Sequence, residues 1–487
     1  MKGISPRFIV LFLVVACTSG FEKINDNPND PTTVPPEDIL ADVIIQTAYS
    51  YQEASTIGPS VSASRYFTKI RNETDDLFNW TGVSWRDQFK ALSNNQNLLD
   101  MTEGRKDLSH LHAIGLIIKS FNFSYLTDLY GDIPYSEALL SKDEDIIYPQ
   151  YDSQEDIYKN IMADLTLANN MLSKPGELPE SGDILYHGNA LAWRKFANSL
   201  RLRMLIRMSG KVSVREDIQS MMDQPDVYPL ILNNNDNASL PYVGTLDEYS
   251  WIFYNKRWLM NRYRPSKIFV DLLLRQDDPR LEAWLSPVNA WIASERWIDK
   301  NMYVGVPHAI PNPYEYNGGE DYISSLSDVY LEESHSHVEA MMINCCEVYF
   351  NLAEAVQRLG VKVPGNTDES LYYKGIRASM RQYGVEAEEK FFKSAEIAYN
   401  ASFEQLIIQK WLSLWLTGAE GWFDHRRTGF PNFPIGERAV QRTIPLRFQY
   451  PPEEMATNEE NYKKAIGQQG WLDDDINEKM WYLKVGD

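Results

Sequence analysis

Apolar residues spaced three and four apart constrain most strongly what this chain can fold into. Leu111, Ile114, Ile118, Phe121, Tyr125 and Leu129 form one such row, and Gly131 follows it. A 3.6-residue period puts them on one helix face, and a glycine just beyond is a usual stop. Trp193, Phe196, Leu200, Met204 and Met208 repeat the pattern ahead of Gly210, with Arg194, Arg201, Arg203 and Arg207 interleaved. Met342, Cys346, Tyr349, Ala353 and Val356 run to Gly360, and Ile407, Trp411, Leu414 and Trp415 run to Gly418. All four rows read as buried helix faces.

Alternating strands are scarce. "VYPLILNNNDNASLPY" has room for one short strand and "RTIPLRFQYP" for another. Segments 71–90, 225–265, 284–330 and 424–487 read as long loops, and their aromatic content argues against disorder. No strict 34-residue period is visible, and the tetratricopeptide sequence pattern is absent. The expected architecture is mainly α: helix pairs with large irregular insertions and a few short strands, forming one unit over residues 37–487. With 44% hydrophobic residues in a chain of 487, the material for a large core is ample.

The N-terminal segment has a different purpose. Lys2 and Arg7 precede an apolar run from Phe8 to Ala16, too short for a bilayer core that takes ~20 residues. It suits the apolar region of a secretory signal, so residues 1–16 are expected to be a signal peptide. "VVAC" resembles a bacterial lipobox, which makes Cys17 the expected lipidation site. Several acyl chains at ~0.8 kcal/mol per buried methylene anchor a protein stably. "TSGFEKINDNPNDPTTVPPED" then reads as a tether, with residues 17–36 holding the body off the membrane. Losing Lys2 and Arg7 takes the net charge from −21 to −23. Such acidity argues against nucleic-acid binding and against a polybasic membrane patch.

Catalytic signatures are missing. G-x-S-x-G, H-E-x-x-H, the P-loop pattern and G-x-G-x-x-G do not occur. Cys345 and Cys346 are adjacent in a helical pattern, so they do not bridge each other. With His335 and His337 they match no familiar zinc spacing. Cys346 reads as a packed thiol, and neither a metal nor a cofactor is expected. Asp75–Asp76 and Asp473–Asp475 read as solvated acidic loops rather than as a glycosidase pair.

What stands out is aromatic residues in loops. "DDLFNWTGVSWRD" carries Trp80 and Trp85, "AWLSPVNAWIASERWIDKNMYVG" carries Trp284, Trp291, Trp297 and Tyr303, and "NPYEYNGGEDY" carries Tyr314, Tyr316 and Tyr322. A flat ring covers the C–H face of a pyranose, while neighbouring amides, carboxylates and guanidinium groups satisfy its hydroxyls. A peptide site uses similar rings with other polar partners. Each ring either pins its loop to the helical body or faces a guest. From loop position and chemistry the candidate ligand residues are Trp80, Trp85, Trp291 and Tyr322.

The ordered series "INDNPNDPT", "DLYGDIPYSEAL", "WRKFANSLRLRMLIRMSG", "DDPRL", "CEVYFNLAEAVQRLG", "QLIIQKWLSLWLTGAEGWFDHRRTGFP" and "TIPLRFQYPPEEMATNEENY" follows Cys17 across almost the whole chain. In this it resembles the SusD/RagB-like nutrient-binding lipoproteins of Bacteroidota outer membranes. That resemblance implies tetratricopeptide-like helix pairs with ligand-binding loops, and a non-enzymatic role as lid on a SusC-like TonB-dependent transporter. It further implies capture of oligosaccharide, or in some members peptide, at the cell exterior. A surface glycoside hydrolase is the competing class. Arg426 and Arg427 in "DHRRTGFP" are expected to pair with carboxylates rather than with ligand. Only Glu22 stands in "TSGFEK", where exported members often carry an acidic run.

Overall fold

The computed structural model describes residues 34–140, 146–242, 262–289, 302–331 and 338–484. The expected signal peptide, Cys17, Trp291, His335 and His337 lie outside the described residues. The principal helices are α1 (Pro36–Glu53), α2 (Arg86–Thr102), α3 (Ser109–Tyr130), α4 (Gln154–Leu172), α5 (Ala190–Met208), α6 (Lys267–Gln276), α7 (Cys345–Leu359), α8 (Asp368–Gln382), α9 (Phe403–Ser413) and α10 (Glu420–Thr428). Successive helices from α1 to α5 pack on one another, α3 also reaches back to α1 and on to α5, and α7 packs against α8, α9 and α5. This is the mainly helical, tetratricopeptide-like architecture. No described helix is long and apolar enough to cross a membrane.

Helix α3 lies at the centre and is buried on nearly all sides. Its polar residues survive there by bonding to their own turns: Ser120 Oγ donates to Leu116 O at 2.7 Å and Asn122 Nδ2 to Ile118 O at 3.0 Å. Gly131 ends it at φ 90, its N–H donating to Thr127 O at 2.8 Å. Side-chain caps start the others. Ser153 accepts from Asp156 N at 3.1 Å, Asn189 from Ala192 N at 3.1 Å and Asn344 from Glu347 N at 2.9 Å.

Two rows of the sequence pattern overrun their helices. Met342 belongs to a strand, because the Asn344 cap starts α7 only at Cys345. Leu414 and Trp415 lie past the end of α9, where Leu416 (φ 55) and Gly418 (φ 46) turn the chain toward α10. Trp415 is nevertheless fully buried, with Phe269 and Trp284 stacked 4.7 and 5.5 Å away.

The described strands form four antiparallel pairs. They are β1 (Phe67–Lys69) with β5 (Tyr263–Pro265), β2 (Ile133–Pro134) with β3 (Tyr151–Asp152), β4 (Ala238–Pro241) with β8 (Glu339–Ile343), and β6 (Leu285–Ser286) with β7 (Ser325–Leu326). Strand β4 is the one expected in "VYPLILNNNDNASLPY". The segment "RTIPLRFQYP" holds no strand; its amides bond to scattered acceptors, Leu446 N to Ile476 O and Phe448 N to Leu129 O, both at 2.8 Å. Helices Pro452–Thr457 and Glu459–Gln468 break up the loop expected over 424–487.

A buried charge network clamps the helices together. Arg203 on α5 grips Glu347 on α7 through two bonds of 2.6 Å, and Arg207 bridges Asp128 on α3 and Glu420 on α10. Burial alone would raise the Glu420 carboxyl; Arg203 and Arg207 reverse this and hold it below the ordinary glutamate value. Lys410 pairs with Asp424 at 2.6 Å. Arg427 forks onto Glu354 with two bonds of 2.7 Å, as expected of a scaffold residue, whereas Arg426 donates to the carbonyls of Leu446 and Asp128. Cys345 and Cys346 are buried free thiols, and burial raises both. Among the described residues no group of His, Cys, Asp or Glu is arranged to hold a metal ion.

Candidate functional site

Strands β1 and β5 pair with Phe67 opposite Pro265 and Lys69 opposite Tyr263, and Ile70 N extends the pairing to Arg262 O at 2.6 Å. Ile70 then joins Val306 and Ile323 in a small core apart from the main one, with Val304 and Tyr316 packed against it. This second core seats the loop Asn312–Ile323 against the ribbon. The arrangement turns apolar residues inward and leaves the loop's other rings at the surface.

The loop is built by backbone conformations that few residues adopt. Asn312 (φ 46) and Asn317 (φ 55) are left-handed, and Gly319 sits at φ 110, ψ −175, a region open to glycine alone. Asn317 Nδ2 donates to Tyr322 O at 2.8 Å and Tyr322 N to Gly319 O at 2.9 Å. The Tyr322 ring lies over Gly318, where an added Cβ would come within 3.4 Å of it. Its backbone is thus held while the residue remains 49% exposed; Tyr314 is 39% exposed. Arg71, just past β1, places its guanidinium 5.7 Å from the Tyr314 ring centroid and pairs with Glu320. Arg264 reaches the other Glu320 oxygen at 3.4 Å, and burial lowers its pKa below the ordinary arginine value. The result is a surface platform that carries two exposed tyrosines, a guanidinium and a carboxylate.

Of the four expected ligand residues, Tyr322 stands on this platform and Trp291 falls outside the described residues. The expectation for Trp80 and Trp85 is corrected. Trp80 is 7% exposed, its Nε1–H donates to Asp75 O at 2.8 Å, and it meets Trp422 and Phe448 edge-on at 5.7 and 5.6 Å. Trp85 is 8% exposed and packs on Tyr130 and Phe89 at 5.1 and 5.4 Å. Between them Gly82 presses on the Tyr450 backbone so closely that a Cβ would stand 2.2 Å from its carbonyl oxygen. That approach folds the segment inward and takes up the ring faces. Trp80→Phe is expected to lower stability by about 1–3 kcal/mol through the lost hydrogen bond and smaller ring. Ligand affinity should stay within about twofold; an unchanged melting temperature with weakened binding would contradict this placement.

The acidic runs are split: Asp473 and Asp475 are exposed, as expected of a solvated loop, whereas Asp75 is half-buried and Asp76 and Asp474 are buried. Asp76 is buried, accepting from Ser62 Oγ at 2.5 Å and Lys69 N at 2.8 Å, and burial pushes its carboxyl up to about 7. Asp474 is buried against Arg447 at 2.6 Å. Arg71 and Glu320 were not singled out in the sequence. They are 249 residues apart, and the contacts that join their segments, Ile70 with Ile323 and Arg264 with Glu320, leave no local signature.

A groove of about 610 Å³ opens beside α6. Its floor is apolar, with Ile268, Leu272, Ile310 and Ile435, and its rim carries Arg275 and Glu404. His308 on its wall donates from Nε2 to Phe67 O at 3.0 Å, and burial keeps its pKa well below the ordinary histidine value.

Comparison with known proteins gives the same direction. A sequence search of curated proteins finds no match. Among solved structures, a SusD homologue from Bacteroides fragilis is 26% identical with a TM-score of 0.80, the alignment covering 93% of this chain and all (100%) of that one. A candidate nutrient-binding outer-membrane protein of Bacteroides vulgatus is 25% identical with a TM-score of 0.81, again over 93% and 100%. A chitin-binding SusD homologue from Flavobacterium johnsoniae shares the fold at 22% identity and a TM-score of 0.75, over 92% and 97%. Residues 28–451 match the family model described as "Starch-binding associating with outer membrane". With helix pairs, exposed loop rings and this match spanning most of its length, the chain belongs to the SusD-like family of outer-membrane-associated nutrient-binding proteins.

Proposed function

We propose that this protein is a lipid-anchored receptor that captures oligosaccharide at the cell exterior and delivers it to a SusC-like TonB-dependent transporter in the outer membrane. The observation that carries the reading is the exposed pair Tyr314 and Tyr322 beside Arg71 and Glu320 on a conformationally fixed loop. Family membership and the lipobox ahead of Cys17 support the setting. Capture without turnover needs only micromolar to millimolar affinity, about −8 to −4 kcal/mol. Calorimetry against oligosaccharide and peptide panels tests it: heat with a glycan and unchanged chain length in a reducing-end assay are expected. Release of new reducing ends would favour the hydrolase instead.

Peptide capture is the second reading, favoured by the apolar floor and charged rim of the groove beside α6. Heat with peptides alone would select it. The anchor has its own test. Cys17→Ala is expected to remove the acyl mass from the mature protein and move it from the membrane to the soluble fraction; continued membrane retention would remove Cys17 as the anchor. A large β-barrel should copurify with the native protein in mild detergent, and its consistent absence would count against the transporter partner.

A further inference from the structure

In a chain where acids outnumber bases 68 to 47, four cations gather on the β1–β5 ribbon and its extension: Lys69, Arg71, Arg262 and Arg264. Most acids beside them are already held. Asp75 pairs with Lys69 and Glu73 with Arg438, each at 2.6 Å, and Glu320 has both Arg71 and Arg264. On the platform loop Glu315 accepts from Asn312 Nδ2 at 3.2 Å, which leaves Asp321 as an exposed acid. The rest of the negative surface is screened beyond about 8 Å at physiological ionic strength, so these neighbours set the field at the site.

Arg71 is the cation able to change partners. Its side chain is 52% exposed and that of Glu320 31%, and pairs this open to solvent contribute little. When Arg71 turns away, Glu320 keeps Arg264 at 3.4 Å, so the exchange strands no buried carboxylate. A guanidinium forks onto a carboxylate or sulfate with two parallel bonds. The Arg71 guanidinium stands over one face of the Tyr314 ring, 5.7 Å from its centroid, so a sugar meeting the other face or the ring edge comes within the arginine's reach.

We infer that the platform takes anionic saccharides, those bearing carboxylate or sulfate groups, with Arg71 leaving Glu320 to grip the anion. The inference rests on the capture reading above and names its ligand class.

An immobilised panel tests it with the full mature chain: oligouronates and sulfated oligosaccharides, each beside its methyl-esterified or desulfated counterpart, with neutral glucans alongside. At least one acidic member should bind about tenfold or more tighter than its neutralised counterpart, and whether the uronate or the sulfate arm shows the excess identifies the anion. Arg71→Gln should bring that ratio to about one, and Arg71→Lys should restore part of it. Added salt should weaken the acidic arm alone. Equal binding of acidic and neutralised members, or an Arg71→Gln effect equal on both, overturns the anionic class while leaving capture intact. No binding anywhere on the panel, with binding to peptides, overturns the capture reading and this inference together.

Discussion

Arg207→Met should destabilise the protein by about 3–5 kcal/mol, the cost of removing one partner from a buried ion pair. Arg207 is buried, as are both of its carboxylates, Asp128 and Glu420. Methionine fills much of the space but leaves Asp128 with Tyr158 Oη, at 2.5 Å, as its remaining side-chain donor. Glu420 fares better, since Arg203 stands 3.5 Å away and Tyr51 Oη donates to it at 2.9 Å. The loss therefore falls mainly on Asp128. Asp128→Asn added to Arg207→Met should recover part of the stability, because an amide costs less to bury unpaired than a carboxylate. Urea denaturation checks this: the midpoint of the single variant falls at unchanged slope and the double variant lies between it and the parent. A shift of the single variant below about 1 kcal/mol would mean that water or local rearrangement compensates the charges.

Such a network also shows which parts of the fold were legible in the sequence. The apolar rows of α3 and α5 were read directly, because burial against neighbouring helices imposes a local period. Their partners were not. The interleaved arginines look like a solvated helix edge, yet Arg203 and Arg207 are buried by carboxylates 144 and 213 residues away. The same limit applies to the rings. Trp80 and Trp85 sit among Asn, Thr, Ser and Arg and read as surface aromatics, while Trp422, Phe448 and Tyr130 that enclose them come from distant segments. Tyr322 was readable as a candidate from its loop position and chemistry, in a segment whose glycines and asparagine suit tight turns. Met342 and Trp415 mark where a correct inference of burial was extended into an incorrect one of helix. Apolar spacing continues across a cap or a left-handed residue that the period itself does not register.

Replacing both exposed rings, Tyr314→Ala with Tyr322→Ala, should weaken oligosaccharide capture about a hundredfold while leaving the fold intact. Each ring is expected to contribute about tenfold in affinity, roughly 1.4 kcal/mol, so the pair accounts for about a hundredfold if the two act independently. From a starting Kd near a micromolar that loss leaves about 100 µM, still measurable, and from a millimolar start it removes detectable binding. Stability should barely move, because neither ring is buried and substitutions at exposed positions stay within about 0.5 kcal/mol. Tyr→Phe at both positions separates the ring from its hydroxyl: stacking needs only the face, so most of the affinity should remain. The bonds that fix the loop at Tyr322 use its backbone and not its ring: Asn317 Nδ2 donates to Tyr322 O and Tyr322 N to Gly319 O. A weakened double alanine variant therefore reports lost contact rather than a collapsed loop, and circular dichroism with a melting curve verifies that. Undiminished glycan binding by the double variant would move the site elsewhere, with the apolar groove beside α6 the next surface to mutate.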